Sequence, residues 1–387
     1  MKALICIPRL SVGGTEIQTL NTVHALVQGG HEVTVACYFE HSPYMVERYR
    51  KAGAEVLLFS PEGTRVGGYR AIPYLYKHLR RTIKAVRPDV THVQYMAPGA
   101  MVILLLWLMG VKNIIATVHT AADIYKDLRL IHFLQRHCLR AFTCITERAE
   151  RSFFGSSQLY TTDTVLGKRN HFTIYNSLPV KLGWSCNENE DVNENLGSSL
   201  TAHRSQPNTL GVVSRLEPIK GMDLVVPAFA EVLKKYPNVR LLVVGDGSLR
   251  ATMEQQAEEL GCADRITWVG RQPQEELPHW YGQMDIVLMP SRSEGFGLTA
   301  IEAMANGCVM VASEVGGLPE VVRDGECGLL HRCEDVLDMA AKVCTLLGDN
   351  ELYNRLRTQA LCEVKKYSFE RYAELVCNLY NKICNEQ

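Results

Sequence analysis

Two glutamates eight residues apart, Glu294 and Glu302, stand in the stretch PSRSEGFGLTAIEAMANGCVMVASEVGGLPE, residues 290–320. The apolar segment IVLMPS before them predicts a strand. Gly295 and Gly297 mark a turn, and good helix formers follow from about Leu298, so Glu302 is expected in the third turn of a helix. A helix start offers unpaired backbone N–H groups and the positive end of a dipole, which suits a phosphate. Ionised carboxylates only accept hydrogen bonds, which suits a ligand rich in hydroxyls. A ligand carrying both kinds of group, such as a sugar nucleotide, fits this pair.

Further candidates sit at other strand ends. Arg215 and Lys220 follow the apolar run TLGVVSRL, with Gly221 next to the lysine. An arginine that grips in two places beside a point charge suits a diphosphate, although two such cations alone also read as ordinary surface charge. Gly13-Gly14 follows the first apolar strand and precedes its helix, where backbone can come close to a phosphate or sugar; a tight turn gives the same pattern. No third glycine completes the GxGxxG dinucleotide fingerprint, which argues against a nicotinamide enzyme. His119 follows NIIATV and can bond a ligand hydroxyl or be satisfied by backbone. Gly245 closes the strand VRLLVV in the sequence VVGDG.

These residues need a scaffold of strands that end side by side. In the first half ALICIP, HEVTVACY, AEVLLFS, DVTHVQY, NIIATVH and FTCIT are near-continuous apolar strands separated by helical patterns. Strands of that kind indicate a parallel sheet covered on both faces, and such sheets bind ligands outside the carboxyl ends of their strands. In the helix TEIQTLNTVHALVQGG, Leu20, Val23, His24 and Val27 share adjoining positions. The pattern recurs after residue 208, with a helix expected from about Met222 to Lys235 and helical segments near 334–347, 350–366 and 369–384. The fold class is α/β, two doubly wound Rossmann-like domains expected to face each other across a cleft. Residues 1–176 form the first, 177–208 a linker with a polar insertion, 209–366 the second, and 367–387 a C-terminal helix that crosses back to the first domain. Asn176 to Pro179 is the expected crossing point.

The 387 residues suffice for two cores, and 47% of them are hydrophobic. Thirteen cysteines with no CxxC pair read as reduced core cysteines, with no spacing for zinc or a disulfide framework. Met1-Lys2 leads straight into ALICIP, which does not read as a signal peptide, and the run MVILLLWLMG is about twofold too short to span a membrane. Net charge is −1, yet residues 1–170 carry 21 Lys and Arg against 12 Asp and Glu, and the remainder 20 against 30. The first half's cations include Arg80, Arg81, Lys84, Arg87, Lys126, Arg129, Arg136 and Arg140. They read as solvated helix faces or as a surface for an anionic partner; no nucleic-acid motif accompanies them.

Taken in order, Gly13-Gly14, SRLEPIKG at 214–221, VVGDG at 243–247, SEGFGLTAIEAMANG at 293–307 and GGLPEVVRDGECGLL at 316–330 resemble a retaining glycosyltransferase of the GT-B fold, family 4 type. The resemblance covers nearly the whole chain and is strongest from Ser214 to Leu330. It implies that Arg215 and Lys220 hold the diphosphate and that Glu302 accepts from the ribose hydroxyls. Glu294 would bind the donor sugar, and the backbone at Phe296, Gly297 and Leu298 would meet phosphate and sugar oxygens. Gly13 and Gly14 would approach the diphosphate from the first domain, and His119 would lie near the donor sugar. It further implies no cofactor and no required metal. The expected donor is UDP-hexose or UDP-N-acetylhexosamine ahead of GDP-mannose, and the expected acceptor a saccharide or lipid-linked saccharide in cell-surface polysaccharide synthesis. The expected location is cytoplasmic, on the inner face of an anionic membrane. The competing classes are an epimerase or phosphorylase on the same fold, and a non-catalytic sugar-nucleotide-binding protein. The chain departs from the family pattern at Cys308, where proline is common, at Ser177-Leu178-Pro179, where Asn-Gly is common, and in the long polar stretch 181–206.

Overall fold

The computed structural model describes residues 1–95, 99–167, 169–180 and 206–385. The chain divides into two compact units, Met1–Val180 with Phe369–Gln387, and Lys181–Ser368. Of the polar stretch 181–206 expected as an insertion, residues 181–205 lie outside the described residues.

The first unit is built on a seven-stranded sheet: β1 (Lys2–Ile7), β2 (Glu32–Cys37), β3 (Glu55–Leu58), β4 (Val90–Gln94), β5 (Ile114–Val118), β6 (Ala141–Cys144) and β7 (His171–Thr173). All pairings are parallel, in the order β3-β2-β1-β4-β5-β6-β7. The order reverses between β1 and β4, which leaves a crevice outside their carboxyl ends, the place where open α/β sheets take ligands. The helices are α1 (Gly14–Gln28), α2 (Pro43–Lys51), α3 (Ala71–Val86), α4 (Gly99–Leu108), α5 (Arg129–His137) and α6 (Glu147–Phe154).

The second unit repeats the plan with six parallel strands: β8 (Thr209–Val213), β9 (Arg240–Val244), β10 (Ile266–Gly270), β11 (Ile286–Met289), β12 (Val309–Ser313) and β13 (Gly328–His331), in the order β10-β9-β8-β11-β12-β13. Its helices are α7 (Val225–Leu233), α8 (Arg250–Glu259), α9 (Leu277–Tyr281), α10 (Leu298–Ala305), α11 (Leu318–Val321), α12 (Val336–Gly348) and α13 (Asn350–Glu363). The helix expected from Met222 begins later. Pro218–Lys220 and Met222–Leu224 are 3-10 turns joined by Gly221 at φ +65°, and the α-helix starts at Val225.

The last helix, α14 (Phe369–Asn385), packs along α1 in the first unit. Wrapped by the sheet on one side and α14 on the other, α1 is buried from Glu16 to Val23, including Gln18, Thr19, Asn21 and Thr22. That explains a helix whose polar residues are buried; of the four residues expected at adjoining positions, Leu20 and Val23 are buried and His24 and Val27 half-exposed. Several of the buried groups find partners: the Thr22 and Tyr372 hydroxyls lie 2.8 Å apart, and Asn21 Nδ2 donates to the carbonyls of Ser177 and Leu178 at 3.2 Å. The Ser177 N–H donates to Gln18 Oε1 at 3.1 Å. These bonds carry the first unit past residue 176, so Ser177 and Leu178 are part of its interior and not of a linker.

In the second unit the loops after β8 and β9 are laced together by backbone. The Ser214 N–H donates to Val244 O and the Leu216 N–H to Asp246 O, both at 3.0 Å. Gly245 has φ +138°, and a Cβ there would lie 1.8 Å from Ser214 O. Close backbone approach therefore explains this glycine without any ligand. Gly245→Ala is expected to lose about 2–3 kcal/mol from strain and displaced backbone, read as a lowered denaturation midpoint; an unchanged midpoint would show that the loops move apart freely.

Candidate functional site

The second unit gathers most of the candidate residues. Lys220, at the end of the Pro218–Lys220 turn, donates from Nζ to Glu294 Oε2 at 2.6 Å. Their side chains are 21% and 15% exposed, so the pair is partly withdrawn from solvent and its attraction is stronger than that of a surface pair. Ser291 Oγ also reaches Glu294 Oε2, at 3.5 Å. The Glu294 backbone is held separately: its carbonyl accepts from the Gly317 N–H at 3.1 Å, and a Cβ at Gly316 would lie 1.7 Å from that same oxygen. Arg215 stands exposed at the end of β8.

Arg292 was not singled out from sequence, yet it braces this corner. Its guanidinium binds Asp223 through both Nη atoms, at 2.6 and 2.8 Å, and reaches Glu334 Oε2 at 2.9 Å. It also donates to the carbonyl of Pro218, while the Arg292 N–H donates to Ile219 O at 3.0 Å. The turn that presents Lys220 is thus pinned from both backbone and side chain. Hydrogen bonds from Arg292 hold the Asp223 carboxyl below its ordinary range. Two signals were available: Arg292 lies two residues before Glu294, and Asp223 three after Lys220.

Glu302 sits in the second turn of the eight-residue helix α10, not the third, because the helix begins at Leu298. It is 6% exposed, and the Tyr281 hydroxyl donates to Oε2 at 3.1 Å. Burial raises its carboxyl to about pKa 7 against the lowering effect of the Tyr281 and Gln274 hydrogen bonds. Glu294 and Glu302 therefore occupy different settings, one ion-paired and one in a largely apolar recess. Gly297 caps α10 at φ +103°. Phe296 is buried, its ring edge-on to Tyr367 at 5.5 Å, so what it can offer a ligand is backbone. The Leu298 N–H belongs to the first turn, where no partner exists within the helix. Cys308 is fully buried, and its thiol points to the carbonyls of Tyr281 and Met284 at 3.3 and 3.4 Å. It packs where proline is common without disturbing the turn into β12.

In the first unit, Gly13 caps α1 in an extended conformation, and Gly14, its first residue, is exposed. A Cβ at Gly13 would lie 2.5 Å from Oε2 of Glu16. Glu16 is fully buried and receives Arg9 Nε at 2.8 Å on its other oxygen. Sequence reasoning missed this pair. Tyr95, at the end of β4, adopts φ +66°, uncommon for an aromatic residue, and its ring lies 5.3 Å from that of His119. His119 follows β5, is 6% exposed, and bonds through Nε2 to Gln94 Oε1 at 2.8 Å. Burial drives its pKa down to about 3, so it is neutral at physiological pH. Among the described residues, no cluster of three or more His, Cys, Asp or Glu could hold a metal ion, and no helix is long and apolar enough to cross a membrane.

Comparison with known proteins bears on both units. Residues 199–361 match the family described as "Glycosyl transferases group 1", and residues 12–159 match "Glycosyltransferase Family 4". The D-inositol 3-phosphate glycosyltransferase of Nocardia farcinica is 38% identical over 176 residues, 44% of this chain and 39% of that protein. The chain thus spans less than half the length of this curated relative in the match. Among solved structures, HepE from Anabaena in complex with UDP superposes with TM-score 0.76 at 18% identity, covering 98% of this chain and 100% of that one. Sucrose-phosphate synthase from Thermosynechococcus elongatus gives TM-score 0.74 at 20% identity over the full length of both chains. At those identities the likeness shows the fold, two Rossmann-like parallel-sheet domains of GT-B type.

The setting of Glu302 gives a signed pH dependence. An unfolded glutamate ionises near pH 4.3, whereas the folded protein keeps this proton to about pH 7. Stability contributed by this site should fall as pH rises across that window and level off above it, a loss of about 4 kcal/mol. Glu302→Gln should match the parent near pH 4 and exceed it in urea denaturation at pH 8; equal midpoints at pH 8 would show that the carboxyl ionises normally.

Proposed function

We propose, from the premise that this chain belongs to the group 1 glycosyltransferases, that it transfers a sugar from a nucleoside diphosphate donor with retention of configuration. The favoured donor is UDP-hexose or UDP-N-acetylhexosamine, with GDP-mannose second, and the acceptor is a saccharide or lipid-linked saccharide of a cell-surface polysaccharide. The observation that carries the proposal is the Lys220–Glu294 contact at 2.6 Å beside the start of α10, on a turn braced by Arg292. UDP in the HepE structure, a neighbour in fold, favours a uridine donor.

The roles follow from the chemistry of each group. Breaking the sugar–phosphate bond leaves negative charge on a diphosphate. Fixed cations and aligned N–H groups lower that barrier because they need no reorganisation when the charge appears. Lys220 and Arg215 supply the cations, and the backbone at Gly297 and Leu298 the N–H groups. Glu294 is already engaged by Lys220 and Ser291. A carboxylate in an ion pair is a poor nucleophile, which favours hydroxyl binding and charge balance over a covalent sugar–enzyme intermediate. Glu302 accepts from the ribose hydroxyls in its ionised form. No metal is assigned a step, since the two cations meet the leaving group's charge. The epimerase and the non-catalytic binder remain the second readings. The binder is separated from transfer by whether donor is consumed in the presence of an acceptor panel, and the epimerase, which converts donor without an acceptor, by whether that consumption requires the acceptor.

Acceptor recognition is assigned to the first unit, with peripheral contact to an anionic membrane. From Gly63 to Pro88 the chain carries seven Lys and Arg and no acidic residue. Arg70, Lys77, Arg80, Arg81 and Lys84 are exposed on or beside α3, along with Tyr69 and Tyr76. Trp107 and Phe133 are exposed as an edge-to-face pair with ring centroids 6.4 Å apart. Aromatic rings with cations around them suit the headgroup region of a bilayer.

Lys220→Ala is expected to lower release of nucleoside diphosphate from the preferred donor by about 10²–10³-fold; a rate near the parent's would make this lysine a surface charge. Vesicles containing phosphatidylglycerol should retain the protein at low salt and release it at high salt, whereas phosphatidylcholine vesicles should not bind it. Charge reversal at Arg80 and Arg81 should weaken retention; equal retention on both vesicle types would remove the membrane from the proposal.

A further inference from the structure

The first unit contains a row of uncharged hydrogen-bonding groups that runs from His119 to the last helix of the chain. His119 Nε2 lies 2.8 Å from Gln94 Oε1. Gln94 Nε2 lies 3.3 Å from His92 Nε2. His92 Nδ1 lies 2.7 Å from the hydroxyl of Tyr380 on α14. A branch leaves His92 Nε2 to the Thr117 hydroxyl at 2.6 Å, and thence to the Thr143 hydroxyl, also at 2.6 Å. His92, Gln94, His119 and Tyr380 are all nine-tenths or more buried. They border a cavity of about 20 Å³, room for roughly one water molecule.

The chemistry of the amide gives the row a direction. A carboxamide oxygen only accepts and its nitrogen only donates. With Gln94 Oε1 facing His119, Nε2 of His119 must carry its proton. With Gln94 Nε2 facing His92, Nε2 of His92 must be a lone pair, which also accepts from Thr117. The proton of His92 is therefore on Nδ1, and the Tyr380 oxygen accepts it. Both imidazoles are driven down to about pKa 3 by burial, so each carries one ring proton. His119 is left with a lone pair on Nδ1, and among the described residues Nδ1 bonds to no protein group.

We infer that Tyr380 is a positioning residue: through His92 and Gln94 it fixes the tautomer of His119, so that His119 meets the substrate as a hydrogen-bond acceptor. An acceptor nitrogen binds a sugar hydroxyl or an amide N–H and repels a phosphate oxygen, so His119 reads the transferred sugar and not the diphosphate. This rests on the proposal that His119 contacts the donor sugar. The last helix thereby takes part in specificity without touching substrate.

The test is a long-range ¹H–¹⁵N correlation spectrum of the full chain labelled with ¹⁵N-histidine, His119 and His92 being assigned with His119→Ala and His92→Gln. The parent should show His119 protonated at Nε2 and His92 at Nδ1; the reverse pattern overturns the inference without any variant. Tyr380→Phe removes one oxygen and keeps the ring. It should shift His119 toward the Nδ1–H form and lower UDP release from UDP-N-acetylglucosamine or UDP-glucose, whichever the parent consumes, by roughly tenfold, the low end for losing an orienting partner. The loss should fall mainly on kcat, with donor KM little changed. An unchanged His119 pattern in a folded Tyr380→Phe protein overturns the relay. His119→Ala at the parent rate would instead defeat the underlying sugar-contact role and the positioning role with it, while the spectrum would still report whether the row runs in the stated direction.

Discussion

Carbonyl oxygens at the carboxyl ends of the second sheet lie so close to neighbouring α-carbons that no side chain fits between them. A Cβ at Gly221 would be 1.9 Å from Pro290 O, at Gly245 1.8 Å from Ser214 O, and at Gly316 1.7 Å from Glu294 O. Each contact touches a residue of functional interest or its immediate neighbour: Gly221 follows Lys220, Ser214 precedes Arg215, and Glu294 is itself the partner of Gly316. Backbone packing thus sets the places of the charged groups, and their own ion pairs refine them. This order of causes matters energetically. A long cationic side chain surrenders about 2 kcal/mol of rotamer freedom when held, which a partly exposed ion pair alone does not offset. A rigid backbone corner reduces how much freedom remains to be lost.

The two glutamates show how one carboxyl type serves two settings. Glu294 is paired with a lysine at the edge of the fold. Glu302 is buried beside neutral donors, the Tyr281 hydroxyl and the Gln274 side chain, and burial raises its pKa to about 7. The spacing of eight residues suggests an acid/base pair, but Glu294 is engaged at its Oε2 by Lys220 and by Ser291. A carboxylate that must leave an ion pair before acting pays for it in the transition state. Binding roles for both glutamates, with leaving-group charge met by Lys220 and Arg215, require no such rearrangement.

Much of this was legible from sequence, for definite physical reasons. Strands buried on both faces are nearly continuous apolar runs, so each sheet could be read strand by strand. Glycines at strand ends announced where backbone comes close, though not what it approaches: Gly245 serves Ser214 O, and Gly13 leaves space for Glu16. What escaped were the side-chain contacts whose partners are far apart in the chain, although the return of the last helix to the first domain was expected. Arg292 to Glu334 spans 42 residues, His92 to Tyr380 spans 288, and neither has a local signature. The burial of polar side chains on α1 went unread for the same reason. Its buried polar side chains make sense once α14 lies along it, and nothing within α1 says so. The start of α10 at Leu298 was legible, but Glu302 is its fifth residue, and at 3.6 residues per turn that is the second turn and not the third.

The two units use opposite means of fixing a polar group. In the second, Lys220 and Glu294 are placed at partly exposed positions, where water still screens their charges. In the first, the row from His119 to Tyr380 is buried and neutral, and burial itself keeps it so by depressing both histidines. A charge placed there would incur a desolvation cost that its neighbours cannot repay. Neutrality has a consequence that charge lacks. An ammonium attracts any nearby anion, whereas a row of hydrogen bonds has a direction, and its end presents either a proton or a lone pair. Discrimination between a hydroxyl and a phosphate oxygen can therefore be set by the orientation of one amide, Gln94, held from behind by the final helix of the chain.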